Sequence, residues 1–305
     1  MKNHVAVADT LRVTLPRPVP ANRTWFITRR CSQQLFLLLP QPAVKQAFEY
    51  CLARAANETG VLLHAWMAMS DHYHLVLTDP LGKLPAFEQM LNSLVARILN
   101  AHWSRCGGFW EIGSYNRVEP LTEDSVLEKI VYTLANPVSA GLVPRAWRWE
   151  GASSVALEFG QSRRVARPSF LRGGLPVETL RLVAPPSSVQ AITDLNTLIR
   201  EGLRTREREV GEDFAAQGKR FLGMATALAL PWNTKPASTT APRTFRPRFA
   251  SRDRAKMIQA IEEWKTWIAS YREAWLAFRD GVRDVLFPAG TYMLRVRYGI
   301  SVSNS

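Results

Sequence analysis

The chain has 305 residues, 47% of them hydrophobic, with 39 Lys and Arg against 26 Asp and Glu, a net charge of +13. That suits a soluble globular protein of one large or two ordinary domains. No run is long and apolar enough for a transmembrane helix, and Met1–Pro20 lacks the charged-then-apolar design of a signal sequence.

Three cysteines, Cys31, Cys51 and Cys106, show no CxxC spacing, which argues against a disulfide framework and fits a reducing, cytoplasmic setting. The charge is unevenly spread. Residues 1–160 hold 15 basic against 13 acidic residues, a balance of +2, and residues 161–305 hold 24 against 13, a balance of +11. Such an excess is the footprint of a polyanion partner or simply a solvated surface, and charge by itself leaves both open.

Residues 1–20 are Pro-rich and aperiodic and read as an arm. Thr24–Thr28, aromatic and β-branched, reads as a strand. Pro42–Asn57 reads as a helix, with Ala43, Ala47, Phe48, Cys51, Leu52 and Ala55 at helical spacing. Val61–Met69 reads as a central strand, apolar on both faces, and His72–Thr78 as the returning strand of a hairpin. Leu84–His102 is a second amphipathic helix and Tyr115–Leu121 a fourth strand. Glu123–Ala135 is a third helix, with Glu123 and Asp124 in its favourable first turn and Pro137 as its expected stop. The order β-α-β-β-α-β-α predicts an α+β, ferredoxin-like split βαβ antiparallel sheet with helices on one face and one added helix.

After residue 145 the pattern weakens, and residues 161–305 read as a basic, mainly helical region. Ala184–Ser188 is a linker candidate, Ile192–Gln217 a charged helix, and a loose loop spans about 231–243. Ser251–Asp280 is a strong helix whose Trp264, Trp267, Tyr271, Trp275 and Phe278 form a seam. Packing is the expected use of that seam, and base stacking the alternative.

The sharpest local feature is "SDHYHLVLT", residues 70–78, which holds two of the five histidines. On a strand, His72 and His74 share a face and Tyr73 points the other way. Two neutral imidazoles side by side can hold a divalent metal if a third ligand joins them, and two ordinary hydrogen-bonded histidines give the same pattern. In the third helix Tyr132 and Asn136, four apart, share a face. The Asn136 amide oxygen can complete a metal shell, and Tyr132 would then lie beside the metal as a nucleophile toward a phosphodiester.

These segments resemble a known family. "HAWMAMSDHYHLVL" (64–77) is similar to the HUH motif of single-tyrosine transposases, and "YTLANPVSAGLV" (132–143) to the tyrosine helix of their REP-associated branch. "WRWEGASSVALEFG" (147–160) is similar to the segment that follows it, and "FPAGTYMLRVRYGI" (287–300) more loosely to the end of long bacterial members. The resemblance covers roughly residues 20–160, so the chain divides into an arm (1–20), a transposase-like domain (21–160) and the basic region (161–305).

The resemblance implies an HUH endonuclease fold in which His72, His74 and Asn136 ligate Mg²⁺ or Mn²⁺ and no organic cofactor is used. Asn136 stands where other members carry Gln. Tyr132 would attack single-stranded DNA at hairpin repeats, leaving a 5′-phosphotyrosine and a 3′-OH that later rejoins strands. Tyr73, where the family usually carries an aliphatic residue, departs from the pattern. Asp71 is a candidate for orienting an imidazole, with a turn-capping role as the other reading.

Backbone contacts to DNA are expected from Arg29, Arg30, Arg97, Arg105 and Arg117, and from Arg243, Arg246 and Arg248 in the tail. Two alternatives stand beside a transposase. A relaxase-like nickase would often carry a second tyrosine in the helix, and Tyr132 is the one tyrosine there. A domesticated, non-catalytic hairpin DNA- or RNA-binding protein would share the fold. Both monomer and homodimer are compatible with the sequence.

Overall fold

The structure, a computed structural model, describes residues 16–186, 191–236 and 247–303. Residues 1–15 of the expected arm, Ser187 and Ser188 of the linker candidate, residues 237–243 of the loop, and Arg243 and Arg246 lie outside the described residues. The chain falls into two units, residues 21–260, and residues 1–20 with 261–305. Among the described residues no helix is long and apolar enough to cross a membrane.

The larger unit is α+β. It opens with β1 (Arg23–Arg30), α1 (Pro42–Thr59), β2 (Leu62–Ala68), β3 (His72–Asp79), α2 (Leu84–His102), β4 (Asn116–Pro120) and α3 (Glu123–Ser139). This is the order read from the sequence. The local signals are visible in the caps. Pro42 begins α1, where its missing N–H costs nothing, and Gly60 ends it in the left-handed region at φ 79°. The buried carboxylate of Asp79 accepts backbone N–H bonds from Leu81, Lys83 and Leu84 at 3.1, 3.0 and 2.6 Å and so fixes the start of α2. Thr122 caps α3 by accepting from the Ser125 N–H.

After α3 come β5 (Ser162–Ala166), β6 (Val177–Arg181), α4 (Ile192–Ala216), α5 (Met224–Ala229) and β7 (Phe249–Ala250), and then α6 (Arg254–Arg279), whose first turns belong to this unit and the rest to the smaller one. The main sheet has the order β2-β3-β1-β4-β7. Its pairs are antiparallel except β4 with β7, which is parallel. In the β1–β3 register Phe26 faces Val76, Thr28 faces His74 and Arg30 faces His72.

Helices cover both faces of this sheet, not one. Tyr73 points toward α1 and α2, with Phe48 at 5.4 Å between ring centroids and its hydroxyl donating to Asn92 Oδ1 at 3.0 Å. His74 points to the opposite face, where α3 lies. A sheet with two apolar faces needs cover on both, and α3 supplies the second.

A further difference concerns Pro137, which lies inside α3 rather than ending it. An interior proline costs about 3 kcal/mol. The turn that follows offsets this, because Val138 is buried in an apolar cluster with Met67, Met69, Val143, Ala146 and Trp149.

The region after residue 160 is also less helical than its sequence suggests. β5 and β6 form a separate two-stranded antiparallel sheet. It is tied to α1 by Arg163 with Glu49 at 2.6 Å and by Asn57 donating to Glu178 at 2.9 Å. Each strand is five residues, too short for periodicity to separate from loop.

In the smaller unit, the aromatic seam of α6 is used for packing. Phe287 is fully buried against Tyr271 and Phe278, and the Trp267 indole donates to the Ala289 carbonyl at 2.6 Å. The Val19 N–H donates to the Gly290 carbonyl, and a Cβ on Gly290 (φ 84°) would lie 3.2 Å from the Val19 nitrogen. The closing helix is α7 (Met293–Tyr298).

Candidate active site

The fold brings β3 and α3 together at one place. The Tyr132 ring meets the His74 ring edge-on at 5.5 Å and the Phe26 ring at 5.7 Å. Phe26 stacks on His74 at 5.3 Å, and the His72 and His74 rings are 4.8 Å apart. Strand alternation puts the two imidazoles on one face, and the β1 register adds Phe26, Thr28 and Arg30 to it. Tyr132 is 49% exposed, so this buried corner opens to solvent at the tyrosine.

The three histidines of the β2–β3 hairpin differ in what their nitrogens do. His64 is buried with both nitrogens engaged, Nδ1 with the Val183 carbonyl at 2.7 Å and Nε2 with the Thr78 hydroxyl at 2.8 Å. Burial pushes its pKa down to about 4, so it is a neutral structural histidine. His72 and His74 each use one nitrogen. The Asp71 carboxylate accepts from His72 Nδ1 at 2.7 Å, and His74 Nδ1 lies 2.8 Å from the Thr28 hydroxyl. Neither Nε2 has a protein partner among the described residues.

A carboxylate can only accept, so the Asp71 contact fixes the His72 proton on Nδ1. Burial, with the charges of His72, Arg30 and Lys129, holds the His74 pKa well below the usual histidine value. The arrangement therefore offers paired imidazole nitrogens, oriented through their other nitrogens as metal-ligating histidines commonly are.

Asn136 follows Tyr132 by one helical turn and is 8% exposed. Its side-chain amide has no protein partner among the described residues. Val138, two residues on, packs with Met67 and Met69 of the hairpin that carries the histidines. Met67 pairs with His74, and the Met69 N–H donates to the His72 carbonyl. Among the described residues no group of three His, Cys, Asp or Glu lies at metal-ligating spacing, so any third protein ligand would be of another type, such as an amide, hydroxyl or backbone carbonyl oxygen.

The arginines expected to track DNA are scattered. Arg30 shares the histidine face, opposite His72. Arg29 points to the other face, 5.8 Å over the Tyr115 ring. Arg117 is ion-paired with the buried Glu88 and only 11% exposed. Arg105 braces its own loop through Asn100 and the Gly108 carbonyl. Arg97 is exposed on α2, and the Arg248 carbonyl accepts from Glu119 beside β7. The structure thus unites His72, His74, Asp71 and Tyr132, places Asn136 one turn along, and does not gather the arginines around them.

Three residues of this corner escape a reading of the sequence. Phe26 and Thr28 become neighbours of His74 only through the long-range β1–β3 register. Lys129 carried a usable signal, three residues ahead of Tyr132 on the helix. Its ammonium nitrogen lies 5.3 Å from the Phe26 ring and 5.7 Å from the Tyr132 ring, and burial lowers its pKa.

No family model matches the chain, and no curated protein matches it. Among solved structures, it is similar to a REP-associated tyrosine transposase bound to a REP hairpin, at 15% identity over 46% of this chain and 81% of that one, with a TM-score of 0.39. It is also similar to a Deinococcus radiodurans R1 protein described as a transposase, at 22% identity over 34% of this chain and 82% of that one, with a TM-score of 0.28. Neither likeness, at these scores, assigns a function.

Proposed function

We propose that the chain is a tyrosine transposase of the HUH type, built on a ferredoxin-like sheet, that cleaves and rejoins single-stranded DNA at hairpin repeats. The observation that carries this reading is a half-exposed tyrosine set against two imidazoles whose Nε2 atoms have no protein partner. The motif resemblance of residues 64–77 and 132–143 supplies the substrate class.

The donor set fits a divalent cation such as Mg²⁺ or Mn²⁺. It would comprise two oriented imidazoles and the Asn136 carboxamide, which lies one turn along α3 from Tyr132 with no protein partner among the described residues. An ion held by His72, His74 and Asn136 would polarise the scissile phosphate and offset its developing charge.

The chain's own residues do the rest. Tyr132 Oη loses its proton and bonds to phosphorus, the bond from phosphorus to the 3′ oxygen breaks, and that oxygen takes up a proton. The products are a 5′-phosphotyrosine and a free 3′-OH. Attack of a 3′-OH on the phosphotyrosine reverses the bond changes, so rejoining needs no nucleotide cofactor. Lys129 places positive charge beside the ring whose oxygen turns negative. Asp71 and Thr28 hold the imidazoles in their orientation.

Strand transfer tests this reading. Two hairpin-bearing oligonucleotides with different labels, incubated with the protein and Mn²⁺, are expected to yield a strand carrying both labels. Cleavage products alone would favour a nickase, and tight binding without either product would favour a non-catalytic hairpin-binding protein.

A further inference from the structure

The helix α4 has two shoulders. Leu198, Gly202 and Arg206 help line a cleft that includes Tyr132. Arg200, Arg204 and Arg208 line a different cleft of about 840 Å³, together with Arg145 and Trp147. The three arginines recur every fourth residue, so one guanidinium stands on each turn of a single exposed stripe.

Arg204 and Arg208 have no ion-pair partner among the described residues. Arg200 pairs with exposed Glu158 at 3.0 Å, and Arg145 pairs with buried Glu207 at 3.1 Å. Glu212 also lines the cleft, so its balance is four arginines against two glutamates, one of them already engaged.

Trp147 is 67% exposed at the rim. Arg148 lies over its ring, 5.3 Å from the centroid. A tryptophan left in water and backed by a guanidinium is a stacking platform, and a row of arginines beside it suits a phosphate backbone. A double helix would satisfy the arginines and leave the ring unused, because its bases are already stacked. An unpaired strand uses both.

We propose that this outer shoulder of α4, with the turn at Trp147, is a second nucleic-acid surface that holds an unpaired segment of DNA away from the scissile bond. It deepens the reading of the chain as a DNA-processing enzyme. α4 separates it from the Tyr132 cleft, so it grips strand and takes no part in the chemistry.

The test is equilibrium binding by fluorescence anisotropy, using the full chain carrying Tyr132→Phe, without divalent metal, so that no cleavage intervenes. The probes are a short and a long labelled oligothymidine and a duplex of the longer length. The comparison is with the same chain further changed at Arg200→Gln, Arg204→Gln and Arg208→Gln, or at Trp147→Ala or Trp147→Phe.

The triple variant is expected to lower the salt slope for the long single strand by about 2, from about 0.7 per phosphate contact. Trp147→Ala is expected to weaken it about tenfold, with Trp147→Phe close to the parent, since any aromatic face stacks a base. All these side chains are exposed, so melting temperatures should hold.

An unchanged salt slope in the triple variant would overturn the proposal. So would duplex binding as tight as single-strand binding with Trp147→Ala silent, which would make the stripe a general polyanion face. Covalent capture by Tyr132 is a separate readout, and its failure would count against the enzyme reading while leaving this binding result intact.

Discussion

The ring of Tyr132 on α3 stands edge-on to the imidazole of His74 on β3, with centroids 5.5 Å apart. The contact holds a helix to one sheet face and brings a hydroxyl-bearing side chain to a pair of histidines, His74 buried and His72 partly exposed. Several expectations rest on that relationship.

If His72, His74 and Asn136 form one donor set, replacing each should move metal dependence more than folding. Asp71→Asn leaves the first ligands in place but weakens the hold on His72. It should cost about 10–100-fold in metal affinity. Asn136→Gln should keep more Mn²⁺-dependent cleavage than Asn136→Ala, since it retains a carboxamide oxygen. Titration calorimetry with Mn²⁺ and cleavage at several Mn²⁺ concentrations read these effects. Equal Mn²⁺ affinity in all three variants and the parent would remove the metal assignment.

Lys129 lies beside the rings of both Phe26 and Tyr132. Lys129→Met keeps length and apolar packing and removes the charge. Single-turnover cleavage should slow by about 10–100-fold, the scale of losing one electrostatic contact at a reacting group. Lys129→Arg should recover part of the rate. A Lys129→Met protein as fast as the parent would show that the lysine only packs.

The neutral His64 makes stability depend on pH. Its folded pKa is about 4, below the ordinary 6.5, so the unfolded chain takes up a proton first as pH falls. Stability from this residue is complete above pH ~6.5 and is lost toward pH ~4, with a ceiling of about 3 kcal/mol. His64→Gln should be less stable at neutral pH but lose less between those values. Denaturant melts across the range measure it, and a variant as pH-sensitive as the parent would contradict the assignment.

Gly151 lies where the chain returns along the edge of β2, next to Ala152, whose carbonyl accepts from the Ala68 N–H. A Cβ there would press on the Trp149 indole nitrogen and lie 3.0 Å from the Ala68 carbonyl oxygen. That indole donates to the same carbonyl at 2.9 Å, and Trp149 is part of the cluster that holds the end of α3. Gly151→Ala should destabilise the fold by about 1–3 kcal/mol, the usual cost of overpacking. Unfolding at neutral pH measures this, and an unchanged midpoint would mean that the indole moves aside freely.

The residues explain what a sequence can reveal here. The β-α-β-β-α-β-α order is legible because each element carries local signals, such as Pro42 and Gly60 at the ends of α1 and the short turn at Ser70 and Asp71 that returns the chain as His72–Thr78. The pairing of His72 with His74 is legible for the same reason, since it lies within one strand. Thr28 and Phe26 are not, because their place beside His74 depends on how β1 registers against β3. The run of α3 past Pro137 is hidden too, because burial of Val138 in a cluster drawn from distant residues decides it. Charge alone also does not reveal that Arg117 is ion-paired with Glu88, a partner 29 residues away in the chain.

The central claim is that Tyr132 forms the covalent bond to DNA. The direct measurement is a denaturing gel of the full chain mixed with labelled single-stranded hairpin DNA, with and without Mn²⁺, beside Tyr132→Phe. That variant keeps the ring packed against His74 and Phe26 and removes only a hydroxyl from a half-exposed side chain. The expected result is a metal-dependent, denaturation-resistant band in the parent, no such band in Tyr132→Phe, and similar hairpin binding by both on a native gel. An equally strong covalent band from Tyr132→Phe, or none from the parent under any metal condition, would contradict the account.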